Sequence, residues 1–210
     1  TFVALDLVLF YLFFELILIP MFFIIGIWGG ENKIYSSYKF FLYTLFGSLL
    51  FLLAVIFIIT KTGSADILFL IKNGETLFTP TMQKYIWLLC FIAFAVKIPV
   101  FPFHTWLPDA HVQAPTTGSM LLAGILIKIG AYALIRLNIS IFPDMSQYFA
   151  PLAYTLGIIS IIYASMVAFY QKDIKKLIAY SSIAHMGYVL IGVFSFNSQG
   201  LNGAIFQMVS

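Results

Sequence analysis

Phe94-Ala-Val-Lys97-Ile-Pro99-Val-Phe-Pro102-Phe-His104-Thr-Trp-Leu-Pro-Asp109-Ala-His111-Val-Gln-Ala-Pro115 is the stretch that decides the fold. From about Lys84 the chain is apolar enough to cross a bilayer, and then it meets a lysine followed closely by two prolines. A proline inside a helix removes an amide donor and clashes with the preceding turn, so the helix breaks or kinks. Carbonyls freed at membrane depth are tolerated only where protein or cavity water satisfies them. A helix broken beside an ionisable side chain is how transporters build sites near the midplane. The plain alternative is a kink with a lysine reaching for the head groups. The stretch therefore predicts a broken transmembrane helix over about residues 84–108, with Lys97 at the break.

The rest of the chain agrees with a membrane setting. Only 9% of the 210 residues are charged and 62% are hydrophobic, against about 25% charged in soluble domains. Mean hydropathy is +1.02. Runs near 20 apolar residues mark spans, and about six are visible. The first runs from Leu5 to Trp28, and the second from Tyr38 to Thr60. The broken helix is the third. Then come Thr116 to Leu137, Phe149 to Tyr170 and Leu177 to Phe196, with a seventh opening at Gly200-Leu-Asn-Gly203. Residues 61–82 carry Asp66, Lys72, Asn73, Gly74, Glu75 and Pro80, and read as an extramembrane loop. Thr116 or Thr117 is a suitable helix cap. We expect an all-α, polytopic transmembrane bundle forming a single membrane domain over 1–210, and a segment of a larger protein or one product of a split one. A net charge of +3, with no basic run, excludes a nucleic-acid partner. The lone Cys90 reads as a small core residue.

Charges inside spans stand out because each costs roughly 2.5–3.5 kcal/mol near the bilayer centre. Lys128, in Leu122-Ala-Gly-Ile-Leu-Ile-Lys128, is mid-span between Gly124 and Gly130, which leave room for close helices. Glu15 is at the centre of the first span, and a Glu–Lys pair across helices is a coupling element or a static bridge. His185, after Tyr180-Ser181-Ser182, fits a proton relay or a satisfied core position. Pro99, Pro102, His104, Asp109 and His111 read as structural or gating residues in a Pro-rich link that plugs one end of a path. Spacing there does not match a metal site. Asp6, Lys39 and Arg136 sit near span ends, where reaching for the head groups is the default.

The central run, continued through Lys128, closely resembles the antiporter-like subunits of proton-pumping NADH:quinone oxidoreductase, respiratory complex I, and their subunit-4 branch most of all. Phe14-Glu15-Leu-Ile-Leu-Ile-Pro20-Met, Lys39-Phe-Phe-Leu-Tyr and Asp173-Ile-Lys-Lys-Leu-Ile-Ala-Tyr-Ser-Ser-Ile-Ala-His185-Met-Gly extend the likeness over essentially the whole chain. The resemblance implies part of a fourteen-helix, inverted-repeat fold, here its fifth to tenth helices and the start of the eleventh. It implies proton transfer by Glu15, Lys97, Lys128 and His185, the first pairing with the second. It implies no redox cofactor on this chain; FMN, iron–sulfur clusters and quinone would belong to partner subunits. The implied partners are other membrane-arm subunits, the lipid bilayer and a segment or chain supplying the missing helices. The implied location is the mitochondrial inner membrane or a bacterial plasma membrane. Multisubunit sodium/proton antiporters, membrane-bound hydrogenases and a chloroplast relative share the fold, and a scaffold with a vestigial polar axis is the reading from another class.

Overall fold

The computed structural model describes residues 1–209, and among them every regular element is helical. The first span is two helices, α1 (Leu7–Leu16) and α2 (Leu18–Trp28), interrupted at Ile17. Pro20 is the cause: it has no amide to give the carbonyl of Leu16. Asp6, expected only to reach for the head groups, is the N-cap of α1 and accepts the amides of Val8 and Leu9, both at 2.9 Å. Asp66 repeats the device for α4 (Ile67–Leu77), and the two helix starts are tied by Leu7 N–Ala65 O and Ile67 N–Leu5 O bonds of 2.8 Å. Helix α4 replaces the loop expected over 61–82. Its Ile67, Leu70 and Gly74 are buried on one face, and Gly74 lies so close to Ile141 that a Cβ would come within 2.8 Å of its side chain. Before it, α3 (Lys33–Thr62) runs for 30 residues and stops at Gly63, whose φ of 68° suits only a residue without Cβ.

Helix α5 (Pro80–Lys97) starts with Thr79 as cap and proline in its first turn, and ends on Lys97. Helix α6 (Trp106–Gln113) resumes after eight non-helical residues, 98–105. The sequence reading took His104 to Pro115 as a link. Pro108, however, falls in the first turn of α6, where a missing amide has no carbonyl to leave unpaired.

Two of the carbonyls freed by the break have identified donors. Pro99 cannot serve Ala95, so the amide of Val100 does, at 3.0 Å. That leaves the carbonyl of Val96, which the buried indole of Trp106 takes at 2.9 Å. The amide of Phe101 donates to Ser160 Oγ at 2.9 Å, from α10 (Ala150–Phe169).

The next span covers Thr116–Ile139 and is not uniform. It comprises α7 (Thr116–Leu121), a π segment at Leu122–Leu126, α8 (Ile127–Ala133) and a second π segment at Leu134–Ile139. Neither threonine caps it; Pro115 holds the cap position, and Ser119 Oγ reaches back to the carbonyl of His111 at 2.9 Å. A short α9 (Pro143–Tyr148) leads into α10, and α11 (Ile174–Val193) starts earlier than expected because Asp173 caps it. Helices α10 and α11 meet through Gly157 and Gly187, where a Cβ on either would sit 3.2 or 2.9 Å from the other's carbonyl oxygen. Helix α12 (Ser198–Val209) closes the described chain.

Among the described residues five helical stretches are long and apolar enough to cross a membrane, and the broken α5–α6 is a further element packed against them. Their outer faces carry large apolar side chains such as Leu12, Phe13, Ile19 and Phe23, which suit a hydrocarbon surround.

Trp106→Phe keeps an aromatic ring, though a smaller one, and strands the Val96 carbonyl. It should cost about 1–3 kcal/mol, read as a lower thermal midpoint of the detergent-solubilised protein; an unchanged midpoint would show that the indole bond is dispensable.

Candidate functional site

Lys97 closes α5 at a helix C-terminus, where the macrodipole favours a cation. The residue is 2% exposed, and its Nζ has no protein hydrogen-bond partner. The ammonium lies 4.8 Å from the centroid of the Phe14 ring. The next residue along, Glu15, is half-buried; its Oε2 is shielded and also has no protein partner. Its carboxylate is near enough to act on Lys97 electrostatically, yet the two form no ion pair. A buried charge and a buried carboxylate oxygen, each unpartnered, are the kind of exception that calls for water or a mobile ion.

Close backbones enclose the lysine. A Cβ on Gly130 of α8 would sit 3.1 Å from Lys97 Cβ and 2.8 Å from Ile98 Cγ1. One on Gly47 of α3 would sit 3.1 Å from Val96 Cβ. Lys97 ends inside the bundle and not on its surface, where a lysine stretching to the head groups would end.

Lys128 lies two residues before Gly130, about 200° round the helix, and so leaves the far side of α8 from Lys97. There it is half-buried and lines a cavity of about 500 Å³ with Ser182, His185 and Gln207. Gln207 Nε2 is 3.3 Å from His185 Nδ1. Lys128 also borders a second cavity of about 450 Å³, with Tyr132 and Met208. The four predicted proton-handling residues thus form two clusters, Glu15 with Lys97 and Lys128 with His185. Among the described residues no hydrogen bond joins these four side chains across the clusters, and α8 stands between them.

The residues of the break take distinct places. Pro99 and Pro102 lie in the non-helical turn. His104 is buried, its ring 5.6 Å from that of Phe101 and 5.2 Å from that of Tyr163, with Nδ1 unpartnered. Asp109 makes an ion pair of 2.6 Å with Lys39, the only one among the described residues. Lys39, expected to point to the head groups, instead fastens α3 to α6, and one turn further Thr105 Oγ1 donates to Tyr43 Oη at 3.0 Å. His111 is buried with both ring nitrogens lacking protein partners. Lys175 Nζ donates to the carbonyls of Val112 and Ala114 at 3.4 and 3.1 Å, covering the C-terminus of α6. Among the described residues no three His, Cys, Asp or Glu side chains gather as a metal site.

Two neighbours escaped the sequence reading. Phe14 was one apolar residue among many. Gln207 carried a signal, as an amide in an otherwise apolar opening helix, but only the fold sets it beside His185.

A bundle built round a broken helix, with unpartnered polar atoms buried inside it, defines a multi-pass membrane protein. The chain belongs to the NADH:quinone oxidoreductase/Mrp antiporter transmembrane family, whose model matches residues 4–210. It is 59% identical to NADH-quinone oxidoreductase subunit M of Rickettsia typhi, over 100% of this chain and 42% of that protein. It is 52% identical to NADH-ubiquinone oxidoreductase chain 4 of Marchantia polymorpha, with the same coverages of 100% and 42%. Among solved structures it superposes on a chain of respiratory complex I from Thermus thermophilus with a TM-score of 0.90 at 34% identity, covering 98% of this chain and 44% of that one. A chain of the Mrp complex from a Dietzia species matches with a TM-score of 0.89 at 27% identity, over 98% and 22%. The chain therefore spans less than half the length of these relatives.

Lys39 and Asp109 are 20% and 34% exposed at the side chain, so their pair is partly screened. A double-mutant cycle of Lys39→Met and Asp109→Asn should give a coupling of about 1 kcal/mol in thermal unfolding; strictly additive losses would show that the contact contributes nothing.

Proposed function

We propose that this chain is a subunit-4-type membrane-arm subunit of a proton-translocating NADH:ubiquinone oxidoreductase, and that Glu15, Lys97, Lys128 and His185 carry the protons. The observation behind this reading is the Lys97 ammonium, buried with no protein acceptor beside an unpaired Glu15. A structural ion pair would be closed, because an open one leaves desolvated charge without compensation. An open pair can change state.

Energy released in partner subunits enters as a change in the separation of Glu15 and Lys97. With the carboxylate close, Lys97 keeps its proton; with the carboxylate withdrawn, burial drives the proton off. The released proton passes the α8 barrier to Lys128, then to the imidazole of His185, which accepts on one nitrogen and releases from the other. Ser182 and Gln207 supply hydrogen-bonding groups in the same cavity. Lys97 is reset by a proton from the opposite side, so each cycle moves one proton and leaves every group as it began. FMN, iron–sulfur clusters and quinone belong to partner subunits under this reading, and no redox step falls on this chain. The assembly would sit in the mitochondrial inner membrane or a bacterial plasma membrane.

The match to the Mrp complex supports a second reading, a sodium/proton antiporter subunit. The higher identity to the oxidoreductase subunits favours the first.

The assay is the rate of proton uptake by the assembled complex in sealed vesicles oxidising NADH. Lys97→Met and Lys128→Met should each lower it at least about tenfold, given that a positioned proton-transfer group contributes roughly 10²–10⁴. The exposed Lys84→Met should leave it unchanged. Full pumping by both buried-site variants would overturn the assignment, and proton movement driven by a sodium gradient without NADH would favour the antiporter.

A further inference from the structure

We infer that Phe14 is a positioning residue for Lys97, its ring face serving as a seat that holds the ammonium beside Glu15 and releases the neutral amine. The inference rests on the reading of Lys97 as a proton carrier.

The contact is 4.8 Å from Nζ to the ring centroid, inside the range over which a ring face attracts a cation. No protein hydrogen-bond acceptor competes for that ammonium. Phe14 is buried and its ring is held from several sides. The ring of Phe51 on α3 meets it edge-on at 5.7 Å, that of Phe94 on α5 at 6.0 Å, and Phe10 lies one turn back at 6.1 Å. Phe94 is itself one turn before Lys97, so the turn that carries the ammonium also clamps the ring beneath it. The seat is therefore preorganised.

Its chemistry differs from that of a carboxylate. A ring face attracts a cation through its quadrupole but cannot accept the proton. A carboxylate at contact distance would hold the charge far harder in this buried, low-dielectric surround and trap it. For the neutral amine the quadrupole attraction disappears and only dispersion remains, so the ring discriminates between the two charge states of Lys97. Glu15, the next residue along α1, can then act on a lysine of fixed position.

The test uses the assembled complex in vesicles, with Phe14→Leu, Phe14→Trp and a series of phenylalanines carrying one to three ring fluorines at position 14. Fluorination keeps ring shape while draining the negative potential of its face. The rate of proton uptake should fall about tenfold in Phe14→Leu, stay within about twofold in Phe14→Trp and decline stepwise with fluorine number. The decline should vanish in a Lys97→Met background. A flat fluorine series, with Lys97→Met still abolishing pumping, overturns the Phe14 proposal alone. Full pumping by Lys97→Met removes the reading beneath it as well. If Phe14→Leu fails to assemble, the fluorinated series still decides, because it leaves packing intact.

Discussion

An ammonium group in a protein interior is held by a counter-charge, a hydrogen-bond acceptor or water, and Lys97 is given none of these by its own chain at bonding distance. The helices around it are arranged to accommodate that condition. Its helix ends at the lysine, so the carbonyl ends of α5 point toward the charge. Phe14 offers a ring face, and Glu15 offers a carboxylate held back from contact. Glycines at 47 and 130 bring α3 and α8 against the backbone there, which encloses the charge without supplying a partner.

The break that ends α5 is a fixed construction. Each polar group that Pro99 would orphan is taken up by a particular donor: Val100 for Ala95, Trp106 for Val96. Ser160 receives the amide of Phe101, which fastens the turn to α10. Asp109 and Lys39 tie the resumed helix α6 to α3, and Lys175 ties its end to α11. Motion at the site is therefore more economically assigned to side chains than to the break. The Lys97 and Glu15 side chains carry buried atoms without protein partners.

Much of this was legible in the sequence because it obeys short-range rules. Proline beside lysine in an apolar run announced the broken helix, and ionisable residues within spans marked Glu15, Lys97, Lys128 and His185 as candidates. Where the sequence misled, a longer-range contact decided. Lys39 looked like an interfacial lysine until its partner, 70 positions away, came into view. Gly74 and Asn73 hid the helix of 67–77, whose Gly74 packs closely against Ile141, 67 positions away. Pro20 and Pro108 are the same residue type with opposite consequences: mid-span, Pro20 interrupts a helix, whereas Pro108 falls in a first turn and costs nothing. Phe14 was invisible as anything but core, since a ring's role as a cation seat depends on what stands over it.

The central claim is that water reaches the Lys97 ammonium and continues past α8 to the cavity shared by Lys128 and His185. A map of the assembled complex fine enough to show ordered solvent tests it most directly. The account predicts waters at about 2.7–3.2 Å from Lys97 Nζ and Glu15 Oε2, linked onward to Lys128. A lysine contacted only by carbon, with unbroken apolar packing between positions 97 and 128, would contradict it.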